Sequence, residues 1–226
     1  MTNRSGPIIE RQATFDTPRA QKAAHYSQWG EDLLAAKILS GPDAFYVDVG
    51  CNHPTKFNNT YLFYERGWSG LCIDAVQSFG PLYAQIRPRD RFIHSAVSAA
   101  DRDVTLYVGN EDALSSMVEN KWTPDKVIVR SRPLDHILSK NNVPSDFSLL
   151  SLDIEGLEVE ALHSLASTHY RPRVIIAEYQ TIGRINLELQ PTLIALGYQI
   201  LSVTRCNFIA TCDLSADWAI KRELAS

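Results

Sequence analysis

The chain has 226 residues, 45% of them hydrophobic, and a formal charge of −4. That length suffices for one core in one domain, and the acidic balance excludes a general affinity for nucleic acid or anionic membrane, which needs clustered Lys and Arg. No window approaches the roughly 20 consecutive apolar residues that span a bilayer, the N-terminus carries no apolar signal core, and Cys51, Cys72, Cys206 and Cys212 form no C-x-x-C pair, so a cytoplasmic protein with reduced thiols is expected.

Residues 1–24 are polar, proline-bearing and without period, which predicts a flexible arm ahead of a single domain over 25–226. "SQWGEDLLAAKIL" predicts a helix. Ser27 is its cap, Glu31 and Asp32 sit at the positive end of the dipole, and Gly41-Pro42 stops it. "FYVDVG" predicts a first buried strand, "NNTYLFYERG" a helix of about three turns, "SGLCIDAV" a second strand, "QSFGPLYAQI" a helix and "RFIHSAVS" a third strand. Between the last two, "QIRPRDR" is the most basic stretch; broken by Pro88 and Asp90, it reads as a solvated loop.

"VTLYVG" predicts an extra strand and "NEDALSSMVENKWTPDK" a surface excursion, of which 110–124 is long enough to be a lid carrying Ser116 and Trp122. "RPLDHILSKNN" predicts a helix, "FSLLSLDIEG" a fourth core strand, "LEVEALHSLAS" a helix and "RVIIAEYQ" a fifth strand. "TLIALGYQILSV" runs from helix to strand, and "CNFIATC" closes a hairpin. Alternation at this pace requires parallel strands with right-handed crossovers. The expected fold class is a doubly wound α/β sheet, mostly parallel, ending in an antiparallel hairpin.

In such sheets ligands bind beyond the carboxyl ends of the strands. Those ends carry Asp48 to Asn52, Asp74, Ser95 to Ser98, Asp153 to Gly156, and Glu178. Asp74 is placed to accept hydrogen bonds from a ribose. The first loop has one glycine, Gly50, followed by Cys51, Asn52, His53 and Pro54, where a dinucleotide fold wants G-x-G-x-x-G around its pyrophosphate. A nucleoside with an amino-acid-like tail suits that loop better, and S-adenosylmethionine has this shape, with Asp48 facing its ammonium. Cys51 reads as a buried thiol filling space rather than a nucleophile or metal ligand. His53 is either a base reaching the acceptor or a hydrogen-bonding turn residue. Glu158 and Glu160 read as favourable charges at a helix start. An NAD(P)-dependent oxidoreductase and a non-catalytic, donor-binding member of the fold stay open as alternatives.

"YSQWGEDLLA", "YVDVGCNHP", "NNTYLFYERGWSGLCIDA", "RPLDHIL" and "LLSLDIEGLEVEAL" occur in that order, and through them the sequence resembles the FkbM family of S-adenosylmethionine-dependent methyltransferases. The resemblance implies a class I methyltransferase (Rossmann-like) sheet, S-adenosyl-L-methionine as cofactor with S-adenosyl-L-homocysteine as product, and O-methylation of a hydroxyl on a sugar or other small-molecule acceptor. It places Asp48, Gly50 and Asn52 around the methionine part, Asp74 on the ribose with Ala75 beside it, Ser95 and Ala96 near adenine, and Gln28 and Glu31 over the donor pocket. "GCNHP" departs from the family, where many relatives have a small residue before the asparagine and a glycine after it. Asp153 and Glu155 match the family's acidic pair beside the methyl group, with Glu178 nearby. Asp153 is the expected orienting or basic group, and Glu155 or Glu178 holds acceptor hydroxyls. A divalent metal between these three carboxylates is compatible with their chemistry, though the spacing requires none. The expected partners are a hydroxylated small molecule and a second copy of the chain, with neither nucleic acid nor membrane.

Overall fold

A computed structural model describes residues 25–41, 44–108, 125–181 and 184–213. The arm over 1–24 and the lid over 110–124, with Ser116 and Trp122, lie outside the described residues. In chain order the elements are α1 (Glu31–Ile38), β1 (Phe45–Val49), α2 (Tyr61–Glu65), β2 (Ser69–Asp74), α3 (Phe79–Ile86), β3 (Arg91–His94), β4 (Ala96–Val97), β5 (Arg102–Val108), β6 (Asp125–Arg132), α4 (Leu134–Lys140), β7 (Leu149–Leu152), α5 (Glu158–Leu165), β8 (Val174–Glu178), β9 (Gln180–Thr181), β10 (Arg184–Ile185), α6 (Leu189–Ala195), β11 (Gln199–Val203) and β12 (Asn207–Thr211).

The main sheet has the order β11-β12-β8-β7-β1-β2-β3. Strands β3, β2, β1, β7 and β8 pair in parallel; β12 and β11 add antiparallel. Its central strands are apolar on both faces because helices cover both. Alternation sends Val47, Leu71, Leu150 and Ile175 to a core shared with α4, α5 and α6, and Tyr46, Cys72, Leu149 and Ile176 to one shared with α1, α2 and α3. The doubly wound sheet with an antiparallel end is therefore present as expected. Strand order reverses between β1 and β7, so a ligand cleft belongs at their carboxyl ends.

Local departures have local causes. Ser27 is not the residue that precedes α1, yet its hydroxyl accepts from the first-turn Asp32 amide (3.4 Å). Gly30 precedes the helix in a left-handed conformation, and the Ser27 hydroxyl donates to Asp32 Oδ1 (2.7 Å) while accepting from the Gly30 amide (3.0 Å). Helix α2 is shorter than "NNTYLFYERG" predicts, because the Asn58 side chain accepts from the Thr60 and Tyr61 amides and holds 58–60 as a turn. The third strand splits: β3 ends in the main sheet, while β4 joins β6 and β5 in a separate three-stranded sheet. Strand β6, along with the small β9–β10 hairpin, has no counterpart in the sequence reading.

The basic stretch that reads as a solvated loop hides a buried cation. Arg87, at the end of α3, is 0% exposed. Its guanidinium donates to Asp90 (2.6 Å), Pro54 O (3.2 Å), Asn58 Oδ1 (3.1 Å), Tyr46 OH (2.8 Å) and Thr60 Oγ1 (2.9 Å). The rings of Tyr46, Tyr61, Tyr64 and Tyr83 surround it at 5.1 to 5.9 Å, and this set of cation–π contacts and charge-assisted bonds offsets its desolvation. Replacing Arg87 with Leu strands the buried Asp90 carboxylate. A loss of about 3–5 kcal/mol is expected in urea unfolding, as for other broken buried pairs; a loss under about 1 kcal/mol would show that the network does not hold the fold.

Candidate active site

A cleft of about 970 Å³, counting its open mouth, lies at the carboxyl ends of β1, β2, β7 and β8. Its geometry starts from a backbone contact. Gly50 has φ +74°, and a Cβ on it would lie 1.8 Å from the carbonyl oxygen of Asp153. Only glycine lets the loops after β1 and β7 approach this closely.

One end of the cleft suits a nucleoside. Asp74 closes β2 and is nearly buried; its Oδ2 accepts from the Asn52 amide (2.8 Å) and its Oδ1 from the Val76 amide (2.8 Å). Each oxygen keeps a lone pair for a further donor. Burial pushes Asp74 up to about 6, against those two amide bonds. Beside it, Ala75, Val76, Phe79, Ala96, Val97 and Leu106 form an apolar slot. Ser95 lines the slot too, but its hydroxyl is engaged by the Ala96 and Arg130 carbonyls and by Arg132.

The other end is acidic. Asp153, Glu155 and Glu178 each bring a carboxylate oxygen within 4.8 Å of the others. Asp153 and Glu178 end their strands, while Glu155 is carried on a strained turn, with φ +56° followed by Gly156 at +104°. Glu158 holds that turn: its buried carboxylate accepts from the Ile154 (3.1 Å) and Gly156 (3.0 Å) amides and from Asn186. Far from being a mere dipole charge, Glu158 positions its neighbour. The signal in the sequence is an acid three residues after Glu155 across a glycine.

Burial raises all three cleft acids. Asp153 moves up to about 6, opposed by a hydrogen bond from Glu178, and Glu155 up to about 7, helped by the Asp153 charge. Glu178 moves furthest, through burial and then the Asp153 and Glu155 charges. Burial and the neighbouring carboxylates thus favour the protonated form of Glu178 more strongly than that of Asp153. The three acids could also hold a divalent cation through oxygen ligands.

Of the residues singled out from sequence, Gln28, Gly50, Asn52, Asp74, Ala75, Ser95, Ala96, Asp153, Glu155 and Glu178 line this one cleft. Three lie elsewhere. Asp48 points behind the first loop, where its carboxylate accepts from Thr60 Oγ1 (2.7 Å) and Asn58 Nδ2 (3.4 Å), so it does not face a donor's ammonium. Burial pushes it up, opposed chiefly by the Arg87 charge. Glu31 is buried and ties α1 to the last hairpin, accepting from Thr204 Oγ1 (2.7 Å) and Asn207 Nδ2 (3.1 Å). The Nδ1 of His53 accepts from the Thr55 and Lys56 amides (3.2 and 3.3 Å), a turn role that leaves it off the cleft wall. Cys51 is buried and packs in the α1–α3 core, with burial pushing its thiol far up, as a space-filling residue should be.

Sheet order, an acid with spare acceptor capacity at the end of β2, and an acidic pole are the features of an α/β ligand site at a strand-order switch point. The methyltransferase FkbM domain matches residues 48–200, and the chain belongs to that family. By that match it is a methyltransferase, and its doubly wound sheet with an antiparallel end agrees with the class I architecture and the S-adenosylmethionine cofactor that the family resemblance implies. The cleft fits that molecule: Asp74 keeps acceptor capacity for ribose hydroxyls, the slot is apolar for adenine, and the acidic pole suits a sulfonium. Similar solved structures include a TehB-like SAM-dependent methyltransferase from Corynebacterium glutamicum (12% identity, 82% of this chain and 86% of that one, TM-score 0.45). A precorrin-6y C5,15-methyltransferase from Geobacter metallireducens (9%, 80% and 85%, 0.45) and a SAM-dependent methyltransferase from Geobacter sulfurreducens in complex with S-adenosyl-L-homocysteine (14%, 86% and 73%, 0.42) are also similar. No curated protein matches the chain in sequence.

The acidic pole also sets a pH dependence of stability. Carboxyls raised in the native state hold protons that the unfolded chain has already released, so their contribution is complete below a pH of about 4 and is lost as pH rises through about 6 and 7. Urea unfolding should therefore show less stability at pH 8 than at pH 5. Glu178→Gln should flatten that slope and gain about 1–3 kcal/mol at pH 8; an unchanged slope would show that the cluster is not desolvated.

Proposed function

We propose that the protein transfers the methyl group of S-adenosylmethionine to a hydroxyl of a sugar or other small-molecule acceptor. The observation that carries this reading is the Asp153–Glu155–Glu178 cluster at the pole of the cleft opposite Asp74. The donor supplies an electrophilic methyl carbon on a cationic sulfur. What the chain must add is alignment of the attacking oxygen and removal of its proton.

Asp74 takes the ribose hydroxyls and the apolar slot takes adenine, so the methyl end is directed toward the acids. Asp153 accepts the hydroxyl proton as the oxygen attacks, a role its value of about 6 suits near neutral pH. Glu178, protonated, donates to Asp153 and fixes its orientation, while Glu155 takes a neighbouring hydroxyl. The negative charge that results also favours the cationic sulfur before transfer.

Calorimetric titration with S-adenosylmethionine, S-adenosylhomocysteine and NADH tests the donor: the first two should bind, and Asp74→Ala should weaken both at least tenfold, equivalent to about 1.4 kcal/mol. Release of S-adenosylhomocysteine with a panel of methyl glycosides tests the transfer. Asp153→Asn should lower it by about 10²-fold or more, the usual scale of a lost general base, with product affinity preserved. Full turnover in both Asp153→Asn and Glu178→Gln would remove the acids from the chemistry. Binding of NADH alone would favour hydride transfer, and donor binding without release to any hydroxylated acceptor would favour a non-catalytic role.

A further inference from the structure

Four described residues other than glycine have positive φ: Asn52 (46°), Phe57 (50°), Asn142 (51°) and Glu155 (56°). Three of them, Asn52, Phe57 and Glu155, line the cleft. Asparagine visits this region readily, and Glu155 is held there by the Glu158 clamp; a bulky aromatic has no such preference. Nor does burial explain Phe57, a residue that is 67% exposed. A strained, exposed aromatic at a cleft points to a role outside folding.

The surroundings impose this conformation. Asn58, the next residue, is 2% exposed; its Oδ1 accepts from the Tyr61 amide (2.8 Å) and Arg87 (3.1 Å), and its Nδ2 donates to Cys51 O (3.0 Å). Further bonds tie this segment to the strand ends around the cleft. The Asn58 amide donates to Tyr26 O (2.9 Å), two residues before cleft-lining Gln28, whose amide oxygen accepts from the Cys206 thiol (3.7 Å). The Cys206 carbonyl accepts in turn from the Tyr179 amide, adjacent to Glu178. On the other side Asn59 Nδ2 donates to Ser151 Oγ (3.1 Å), two residues before Asp153. Both ties run from the segment that carries Phe57 toward the strand ends that carry Asp153 and Glu178.

We propose that Phe57 is the platform on which the ring of the acceptor lies, with Asp153, Glu155 and Glu178 facing hydroxyls at its edge, and that the acceptor is a neutral or amino-bearing pyranoside. The inference rests on the transfer reading above and adds a specificity-determining residue and a substrate class to it. An exposed aromatic face gains dispersion and burial from the C–H face of a saturated ring. Carboxylates accept the hydroxyls that project sideways from it. Among the described residues the guanidinium of Arg184 approaches the loop that carries Glu155, 3.3 Å from where a Cβ on Gly156 would lie. The balance stays acidic, which disfavours a carboxylate or phosphate on the acceptor near the reacting hydroxyl.

Saturation-transfer NMR on the full chain saturated with S-adenosylhomocysteine tests this, using methyl β-D-glucopyranoside, methyl α-L-rhamnopyranoside and methyl β-D-glucuronide as probes. Saturation should reach the C–H protons of one ring face in a neutral glycoside and be at least fivefold weaker in the glucuronide. Phe57→Asn, which suits the left-handed backbone, should reduce it at least fivefold while keeping the thermal midpoint and holding S-adenosylhomocysteine affinity within twofold; Phe57→Tyr should retain it. Equal saturation in Phe57→Asn, a glucuronide signal as strong as the glucoside's, or no signal from either neutral probe on the wild type would overturn the proposal. A tenfold loss of S-adenosylhomocysteine affinity in Phe57→Asn would also overturn it by assigning the ring to the donor. Failure of the wild type to bind S-adenosylhomocysteine would instead sink the transfer reading itself.

Discussion

The carbonyl oxygen of Asp153 lies where a side chain on residue 50 would have to be. That contact joins the two loops on which the site is built, and it is made by backbone alone. The Gly50 and Cys51 amides donate to Ile73 O, and the Asp153 amide donates to Val49 O. Three neighbouring strand ends are thereby stitched together before any functional side chain is considered. Asp74 and the acidic pole inherit their separation from strand spacing, which a rotamer change cannot alter.

Two polar systems flank this junction, and they differ in how completely they are satisfied. Behind the first loop, Arg87, Asp48, Asn58, Thr60 and Asp90 bond to one another with a full complement of partners. In the cleft, Asp153, Glu155 and Glu178 crowd together with raised affinities for protons, and the buried Oε2 of Glu178 has no hydrogen-bond partner among the described residues. The closed network stabilises; the open one carries desolvation that a bound cation or hydroxyl relieves. Separation of the two by a single loop lets the fold tolerate the open one.

Much of this was legible in the sequence because strand ends obey a rule. Buried apolar runs fix where strands stop, and the polar residue that follows each run falls in the cleft: Asp74, Asp153 and Glu178 follow this logic. Asp48 breaks it by sitting one step earlier, inside the strand, where alternation turns it toward Tyr46's face and away from the ligand. Arg87 was hidden for a different reason. Its run looks solvated, and only the convergence of four tyrosines from β1, α2 and α3 makes burial affordable. Phe57 carries no sequence mark at all, since a positive φ on an aromatic is imposed by neighbours and not by residue type. Strand β6 escaped because its apolar core is only Val127 to Val129, two of them exposed, and its partners are not its sequence neighbours on both sides.

The buried Glu31 has a consequence in time. Its carboxylate, at the start of the first helix, is satisfied by Thr204 and Asn207, and neighbouring Gln28 meets Cys206, across 173 to 178 residues of chain. Contacts of such sequence separation form late, since the intervening loop must close first. During synthesis the wall that Gln28 gives the cleft stays incomplete until the final hairpin has emerged from the ribosome. The same clasp sets the order of failure on unfolding: fraying of the last antiparallel strand leaves Glu31 with only its local bond from the Trp29 amide and loosens the wall that Gln28 gives the cleft, while the parallel centre of the sheet is still intact.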